Sequence, residues 1–375
     1  MQQWLSNVFR LGLKELSSLR ADPALVLLIF YVFSVAVYSV ATGAKLEVSN
    51  ASVAYVDYDR TALTGRILGA ILPPTFNVPE PIEANQIDTM MDSGRYVFVL
   101  TFPPSFEADV LAGLQPQIQL NIDATAMAQA GNGAVFLQQI VSEEISKFVS
   151  GNDSATALPI NLVVTAKFNP NLNSVWFSSV MQIINNITIL SVLLTGAALI
   201  REREHGTIEH LLVMPVNPSE IMVAKIWANG LAIIIAAVLS LWLVVQTLLG
   251  VPVAGSISLF IAGTVLYLVS VTGLGILLAT FTTSMPQFGL LALPVLVIMN
   301  LLSGSVTPME SMPVWLQNVM QASPSTHFVA FAQAILYRGA GLETVWINLV
   351  VMAGLSALFF ITSLKRFRIT MASSH

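Results

Sequence analysis

Along the chain, long apolar runs alternate with short polar joints. Stretches of roughly 20 mostly apolar residues, enough to cross a ~30 Å hydrocarbon core as α-helix, fall at 22–42, 174–200, 221–249, 257–281, 287–304 and 346–364. This pattern predicts six transmembrane helices. The first run is longer than the ~7–15 apolar residues of a signal-peptide core. Ser39-Val40-Ala41 is therefore read as part of an uncleaved membrane helix, despite its small-x-small form.

Before the first run, residues 1–21 place Leu5, Val8, Phe9, Leu13, Leu16 and Leu19 at helical spacing, with Trp4 at the start and bases opposite. That pattern suits an amphipathic helix lying in the membrane interface. Asp22-Pro23 then reads as an N-cap followed by proline at the first helical position, which restarts the chain into the membrane. Between the fifth and sixth runs, residues 305–345 include the apolar segment "THFVAFAQAIL". It is too short to span at ~1.5 Å per residue and reads as a re-entrant helix, tolerated at membrane depth only where protein or water covers its ends.

Residues 43–173 have a different pattern. Strand-like runs "ASVAYVDYD", "YVFVLTF", "QIQLNID" and "INLVVTAKF" are separated by helical periodicity near 61–72 and 135–150. Strands flanked by helices predict a small inserted α+β domain. Within it, Asp57 and Asp59 read as a strand end and helix cap rather than a catalytic carboxylate pair.

Composition agrees with a membrane setting. The 375 residues are 55% hydrophobic and only 10% charged, with a mean hydropathy of +0.75, outside the range of soluble domains. Arg10, Lys14 and Arg20 precede the first run, Arg201, Arg203 and Lys225 flank the joint after the second, and Lys365, Arg366 and Arg368 follow the last. The positive-inside bias puts these segments and both termini, including the tail 365–375, in the cytoplasm. The acid-rich domain 43–173 then lies outside. With no cysteine, neither disulfides nor thiolate metal sites are available, and no nucleic-acid partner is expected.

Against so sparse a charge content, "REREHGTIEHLLVMPVNPSE" at 201–220 stands out, with four acids, two bases and two histidines. "TIEHLLV" has the pattern of a short amphipathic helix, and Asn217-Pro218-Ser219-Glu220 is a capping-box variant that starts the third span. A plain turn needs fewer residues. The segment reads either as a solvated rim of helix ends or as a docking surface for a cytoplasmic partner, charges setting register and the apolar face giving affinity. His205 and His210 among Glu202, Glu204 and Glu209 match no H-E-x-x-H spacing, so no metal is expected.

"REREHGTIEHLLVMPVNPSEIMVAKI" resembles the cytoplasmic segment of ABC-2 type permeases, the membrane subunits of ATP-binding-cassette exporters. "VAYVDYD", "DSGRYVFVLTFPPSFEADVLAG", "FNPN", "LLSGSVTPMESMPVWLQ" and "SPSTHFVAFAQAILYRG" are similar to matching regions of that family, so the resemblance covers nearly the whole chain. It implies an α-helical membrane protein with six transmembrane helices of the ABC-2, ABCG-like (type V) exporter type and an inserted periplasmic α+β domain. The implied coupling surface toward an ABC ATPase subunit comprises Arg201, Glu202, Arg203, Glu204, His205, Gly206, Thr207, Glu209, His210 and Leu211. No G-x-x-x-x-G-K-[ST] occurs, so ATP and Mg²⁺ would be used by that separate ATPase. The resemblance also implies a second permease subunit, identical or related and either separate from the ATPase or fused to it, and a membrane-fusion adaptor on the periplasmic domain. The expected location is the bacterial inner membrane.

Polar side chains inside membrane runs are costly and face protein or water. Gln182, Asn185, Asn186, Thr188, Ser191 and Thr195 in the second run, and Gln287, Asn300 and Ser303 in the fifth, are candidates for a substrate path. Interhelical hydrogen bonding is the competing role for each. Pro294 could kink the fifth helix. His327 and the interfacial Trp176 and Trp346 read as structural. A lipophilic or amphipathic substrate, drug-like or lipid-like, suits such a path. The rival function is a non-transporting sensor or scaffold with a ligand-binding outer domain. An intramembrane enzyme has no matched nucleophile and base to support it.

Overall fold

The amphipathic start of the chain forms helix α1 (Gln2–Ala21) in the computed structural model, which describes residues 2–43, 50–123, 127–150, 173–204 and 216–372. Asp22 then caps α2 (Pro23–Phe33), its carboxylate accepting from the Ala24 and Leu25 N–H groups at 3.1 and 3.2 Å. The helix breaks at Ser34 (φ −122°, ψ −76°) and resumes as α3 (Val35–Gly43). By contact the chain divides into two units, Met1–Gly43 with Val175–His375, and Ala44–Ser174.

Among the described residues the second unit is built on a four-stranded mixed sheet. Its elements are β1 (Val53–Asp57), α4 (Ala62–Ala70), β2 (Glu80–Pro81), α5 (Ile87–Asp92), β3 (Phe98–Phe102), α6 (Phe106–Leu111), β4 (Gln119–Ile122) and α7 (Met127–Ser150). The strand order is β2-β1-β3-β4, with β1 parallel to β2 and β3, and β4 antiparallel to β3. Period-2 alternation sends Val53, Phe98, Leu100 and Phe102 to one face, where they pack with Leu63, Ile67, Phe106 and Leu137 of α4, α6 and α7. Ala54 and Val99 face the other way, against Ile87, Met90 and Met91 of α5. Asp57 and Asp59 organise the turn after β1. Asp57 accepts from Asp59 N, Arg60 N and Thr64 Oγ1, while Asp59 accepts from Thr61 Oγ1 and Glu107 N. The strand-like run at 160–168 lies outside the described residues.

The first unit continues with α8 (Ser174–Glu204), α9 (Pro218–Leu239), α10 (Ile257–Thr280), α11 (Met285–Leu301), α12 (Val314–Met320), α13 (Pro324–Leu336) and α14 (Leu342–Ala372). From Ser240 to Leu248, α9 runs on as a π-helix. Among the described residues five helices are long and apolar enough to cross a membrane, in the ranges Pro23–Gly43, Ser174–Glu204, Pro218–Leu248, Ile257–Thr280 and Leu342–Ile369. The run expected to span at 287–304 becomes the 17-residue α11, about 26 Å at 1.5 Å per residue. Residues beyond Leu301 turn away, and Gly304 adopts φ +92°, which ends any continuation.

Helices packed in lipid gain little from hydrophobic transfer and associate through close packing and hydrogen bonds. The α10–α14 contact follows this rule. A β-carbon on Gly273 would lie 3.5 Å from the Phe359 backbone; Ser270 meets Ser356 at 2.7 Å, and Ser363 donates to the Gly273 carbonyl at 2.6 Å. Gly196 of α8 receives the Phe288 ring of α11, where a β-carbon would sit 2.0 Å from it. At the centre, Tyr267 of α10 stacks on Phe328 of α13 with centroids 4.0 Å apart.

Candidate coupling site and substrate path

The end of α8 carries the charged run predicted to face a partner, and its first four residues engage other elements of this chain. Lys225, in the first half of α9, is only 2% exposed, and its Nζ lies 2.9 Å from both Glu15 of α1 and Glu202 of α8. A buried ammonium is tolerated when its donors are paired. Three helices thus meet on one cation. Beside it, Arg201 pairs with Asp22 at 2.9 Å and so reaches the α1–α2 elbow. Above all the Leu25 N–H, and then Arg201, hold the Asp22 carboxyl below the usual carboxylate range despite some desolvation.

Arg203 donates to the Thr282 and Ala279 carbonyls at 2.6 and 3.4 Å, a cation at the negative end of α10. Glu204 accepts from the Met285 N–H at 3.0 Å, an anion at the positive end of α11. Successive residues therefore fasten α8 to the elbow, to α1 and α9, to α10 and to α11. His205, Gly206, Thr207, Glu209, His210 and Leu211 lie outside the described residues.

Helix α1 is held on α9 along one stripe. Trp4 Nε1 reaches Ser219 Oγ at 3.5 Å, Asn7 reaches Glu220 at 3.3 Å, and Trp227 Nε1 donates to the Val8 carbonyl at 3.2 Å. Phe9 stacks on Trp227 at 5.9 Å, and Gly12 is required, because a β-carbon there would fall 2.1 Å from the Trp227 ring. Glu220 also accepts from the Asn217 N–H at 2.8 Å, the reciprocal half of a capping box. Leu5, Phe9 and Leu13 remain exposed along the helix, an apolar stripe of the kind that interfacial helices bury among headgroups.

The substrate-path candidates separate by partner. Gln182 donates to Asn186, and Asn186 donates to the Val32 carbonyl at the α2–α3 break, at 2.9 and 2.7 Å. Thr188 meets the Tyr267 hydroxyl at 2.7 Å. Ser191 bonds back to Ile187 and Ser303 to Asn300. Gln287 sits in the first turn of α11, where it accepts from the Thr283 N–H and hydroxyl. Asn185 is buried, while the Thr195 hydroxyl and Asn300 Oδ1 are buried without a hydrogen-bond partner among the described residues. His327 binds the Gln321 carbonyl at 2.8 Å. These bonds give Gln182, Asn186, Thr188 and Gln287 definite helix-joining or capping roles.

Sequence reasoning passed over Glu15 and Lys225 as joint residues. A lysine inside "MVAKIWANG" is a signal in itself, but Glu15 is 210 positions away and no local pattern names it.

The family described as "ABC-2 family transporter protein" matches residues 24–365. The chain is 48% identical over 369 residues, 98% of its length and 99% of the other's, to the inner membrane transport permease YhhJ of Escherichia coli (strain K12). It is 31% identical over 349 residues, 90% and 91% of the two chains, to the probable multidrug ABC transporter permease YbhR of the same organism. To the probable multidrug permease YbhS it is 27% identical over 205 residues, 53% and 51% of the two chains. A match from the first apolar helix into the last, over helices joined as described, places this multi-pass membrane protein in the ABC-2 family of transporter permeases.

Proposed function

We propose that the chain is the membrane-spanning permease of an ATP-binding-cassette exporter that moves a lipophilic or amphipathic substrate out across a bacterial inner membrane. ATP and Mg²⁺ are used by a separate ATPase subunit, and a second permease, identical or related, completes the path. In this reading α11 is the fifth of six spans, both termini are cytoplasmic, and the unit 44–174 stands in the periplasm, where an adaptor of the membrane-fusion type docks. The YbhR and YbhS relatives are named as probable multidrug permeases, and the substrate class here rests on that kinship and on the apolar character of the helices.

One observation supports the coupling role most strongly: Lys225 joins α1, α8 and α9 immediately before the segment 205–215. Closure of the ATPase pair would push that segment. Because 201–204 fasten the end of α8 to the elbow and to α1, α9, α10 and α11, the displacement passes to them as one body and not to a single helix. Residues 205–211 then form the docking surface, and Arg201, Glu202, Arg203 and Glu204 transmit.

The two roles separate experimentally. In vesicles holding the permease and its ATPase, Glu209→Lys should weaken complex formation. Neutralising the joint with Glu15→Gln/Glu202→Gln/Lys225→Met should keep the complex but lower the substrate moved per ATP. Glu202→Lys alone is a poor probe, since it sets a second cation against buried Lys225. Unchanged assembly and unchanged coupling in both variants would refute the assignment.

A further inference from the structure

Beneath the α1–α2 elbow lies a polar cavity of about 270 Å³, lined among others by Lys14, Ser18, Arg201, Glu202 and Asn229 and closed at one end by Leu19 and Leu25. Leu19 also opens a second space, an almost wholly apolar groove of about 340 Å³ between α2 and α9, bounded by Val26, Phe30, Phe33, Ala236 and Leu243. Shared Leu19 makes the two consecutive, polar then apolar. On α2 the groove is lined from Val26 to Ser34, about 12 Å at 1.5 Å per residue. That lies within the depth of one leaflet of a ~30 Å hydrocarbon core. Phe30, Leu239 and Leu243 on its rim are exposed, so it opens sideways, where a multi-pass protein meets lipid.

Two buried polar groups lie in these spaces. Asn229, 4% exposed, lines the cavity with its amide Nδ2 lacking a hydrogen-bond partner among the described residues, and Ser240, 3% exposed, lines the groove with its hydroxyl likewise unpartnered among them. A buried amide donor without an acceptor is costly, so the cavity is suited to a ligand that brings acceptor oxygens. The charges facing it are Lys14, Arg201, Glu15 and Glu202. Both carboxylates are held by Lys225 and Arg201 by Asp22, while the Lys14 ammonium makes no ion pair among the described residues. Asn229 Nδ2 and the Lys14 ammonium therefore offer donors to the cavity, one of them cationic, beside the carboxylates of Glu15 and Glu202.

We propose that this elbow is a phospholipid site: the phosphate and glycerol ester oxygens are taken by Asn229 and Lys14, and one acyl chain lies in the groove between α2 and α9. The lipid is a resident of the leaflet that the elbow faces, and it wedges α1 and α2 against α9 beside the Lys225 joint. This inference rests on the multi-pass membrane character of the chain and not on ATP-driven export, so the two fail separately.

Native mass spectrometry of the full chain, purified in mild detergent and titrated with phosphatidylglycerol, tests it. We expect one tightly retained phospholipid per chain. Ala236→Phe, which fills the groove, and Lys14→Glu, an exposed position that tolerates change, should each weaken retention about tenfold, the scale of one lost charge-assisted contact. Leu290→Ala, on an exposed face of α11, should leave it unchanged, and thermal unfolding of each variant verifies its fold. Diacylglycerol, with the same chains and no phosphate, should bind at least about tenfold more weakly. Failure of the wild type to retain phospholipid would overturn the proposal. So would equal retention by folded Ala236→Phe and Lys14→Glu, or equal binding of diacylglycerol, which would make the space a route for apolar substrate instead.

Discussion

Replacing Lys225 by methionine keeps the length of the side chain and deletes the one cation on which α1, α8 and α9 converge. Both partners lie 2.9 Å from Nζ, Lys225 is 2% exposed and Glu202 14%, so the loss is not screened as at a surface. At ~4 Å and an effective dielectric of ~20, each attraction is worth about 4 kcal/mol before desolvation is subtracted. Removing one member of a buried ionic cluster costs about 3–5 kcal/mol, because the remaining charges stay buried without compensation. At about 2–4 °C per kcal/mol, the thermal midpoint of the full chain in detergent should fall by about 6–20 °C, followed by tryptophan emission, with Trp227 reporting α1. The triple variant Glu15→Gln/Glu202→Gln/Lys225→Met removes all three charges and should recover most of that loss, as neutral replacements of buried ion clusters do. A single-variant cost below about 1 kcal/mol, the worth of an exposed pair, or a triple variant no more stable than the single, would refute the buried joint.

Other positions test other parts of the account. Gly12→Leu drives a side chain into the Trp227 ring; it should cost about 1–3 kcal/mol and release α1, seen as a red shift of tryptophan emission and faster cleavage near the N-terminus. Thr188→Val strands the buried Tyr267 hydroxyl, so stability should drop by about 1–3 kcal/mol while transport per folded molecule stays level; altered substrate preference at unchanged stability would return Thr188 to the path. In the α+β unit, Lys147 first and then Arg66 hold the Glu144 carboxyl below the ordinary carboxylate range. A carboxyl lowered on folding contributes stability above its unfolded pKa of about 4.3, which is lost as pH falls through the folded value. Arg66→Met should flatten that acid sensitivity, measured by hydrogen exchange of α7 amides on either side of pH ~4.

Local chemistry made parts of the fold legible. Asp22-Pro23 can be read as a cap before any coordinates exist, since an aspartate before a proline satisfies orphan N–H groups where proline has none to offer, and Asp22 does accept from Ala24 and Leu25. The alternating runs at 53–57 and 98–102 likewise show the inner faces of β1 and β3. The break at Ser34 and the π-turns after Ser240 were not legible, because neither glycine nor proline marks them and only packing against other helices decides them. The charged run raised the right question about 201–204, but its answer depended on partners at Asp22, Lys225, Thr282 and Met285 that tertiary packing alone brings together. Gln287 looked intramembrane by composition and became a helix-end cap because α11 starts at Met285.

Capture of the tagged full-length chain from its native host in mild detergent, with ATP hydrolysis assayed on the eluate beside the Glu209→Lys variant, bears most directly on the exporter assignment. We expect an ATP-hydrolysing subunit to coelute with the wild type and to be lost from a folded Glu209→Lys protein. An eluate without ATPase activity across several mild detergents, or one that keeps it unchanged in the variant, would contradict the coupling of this permease through the segment after α8.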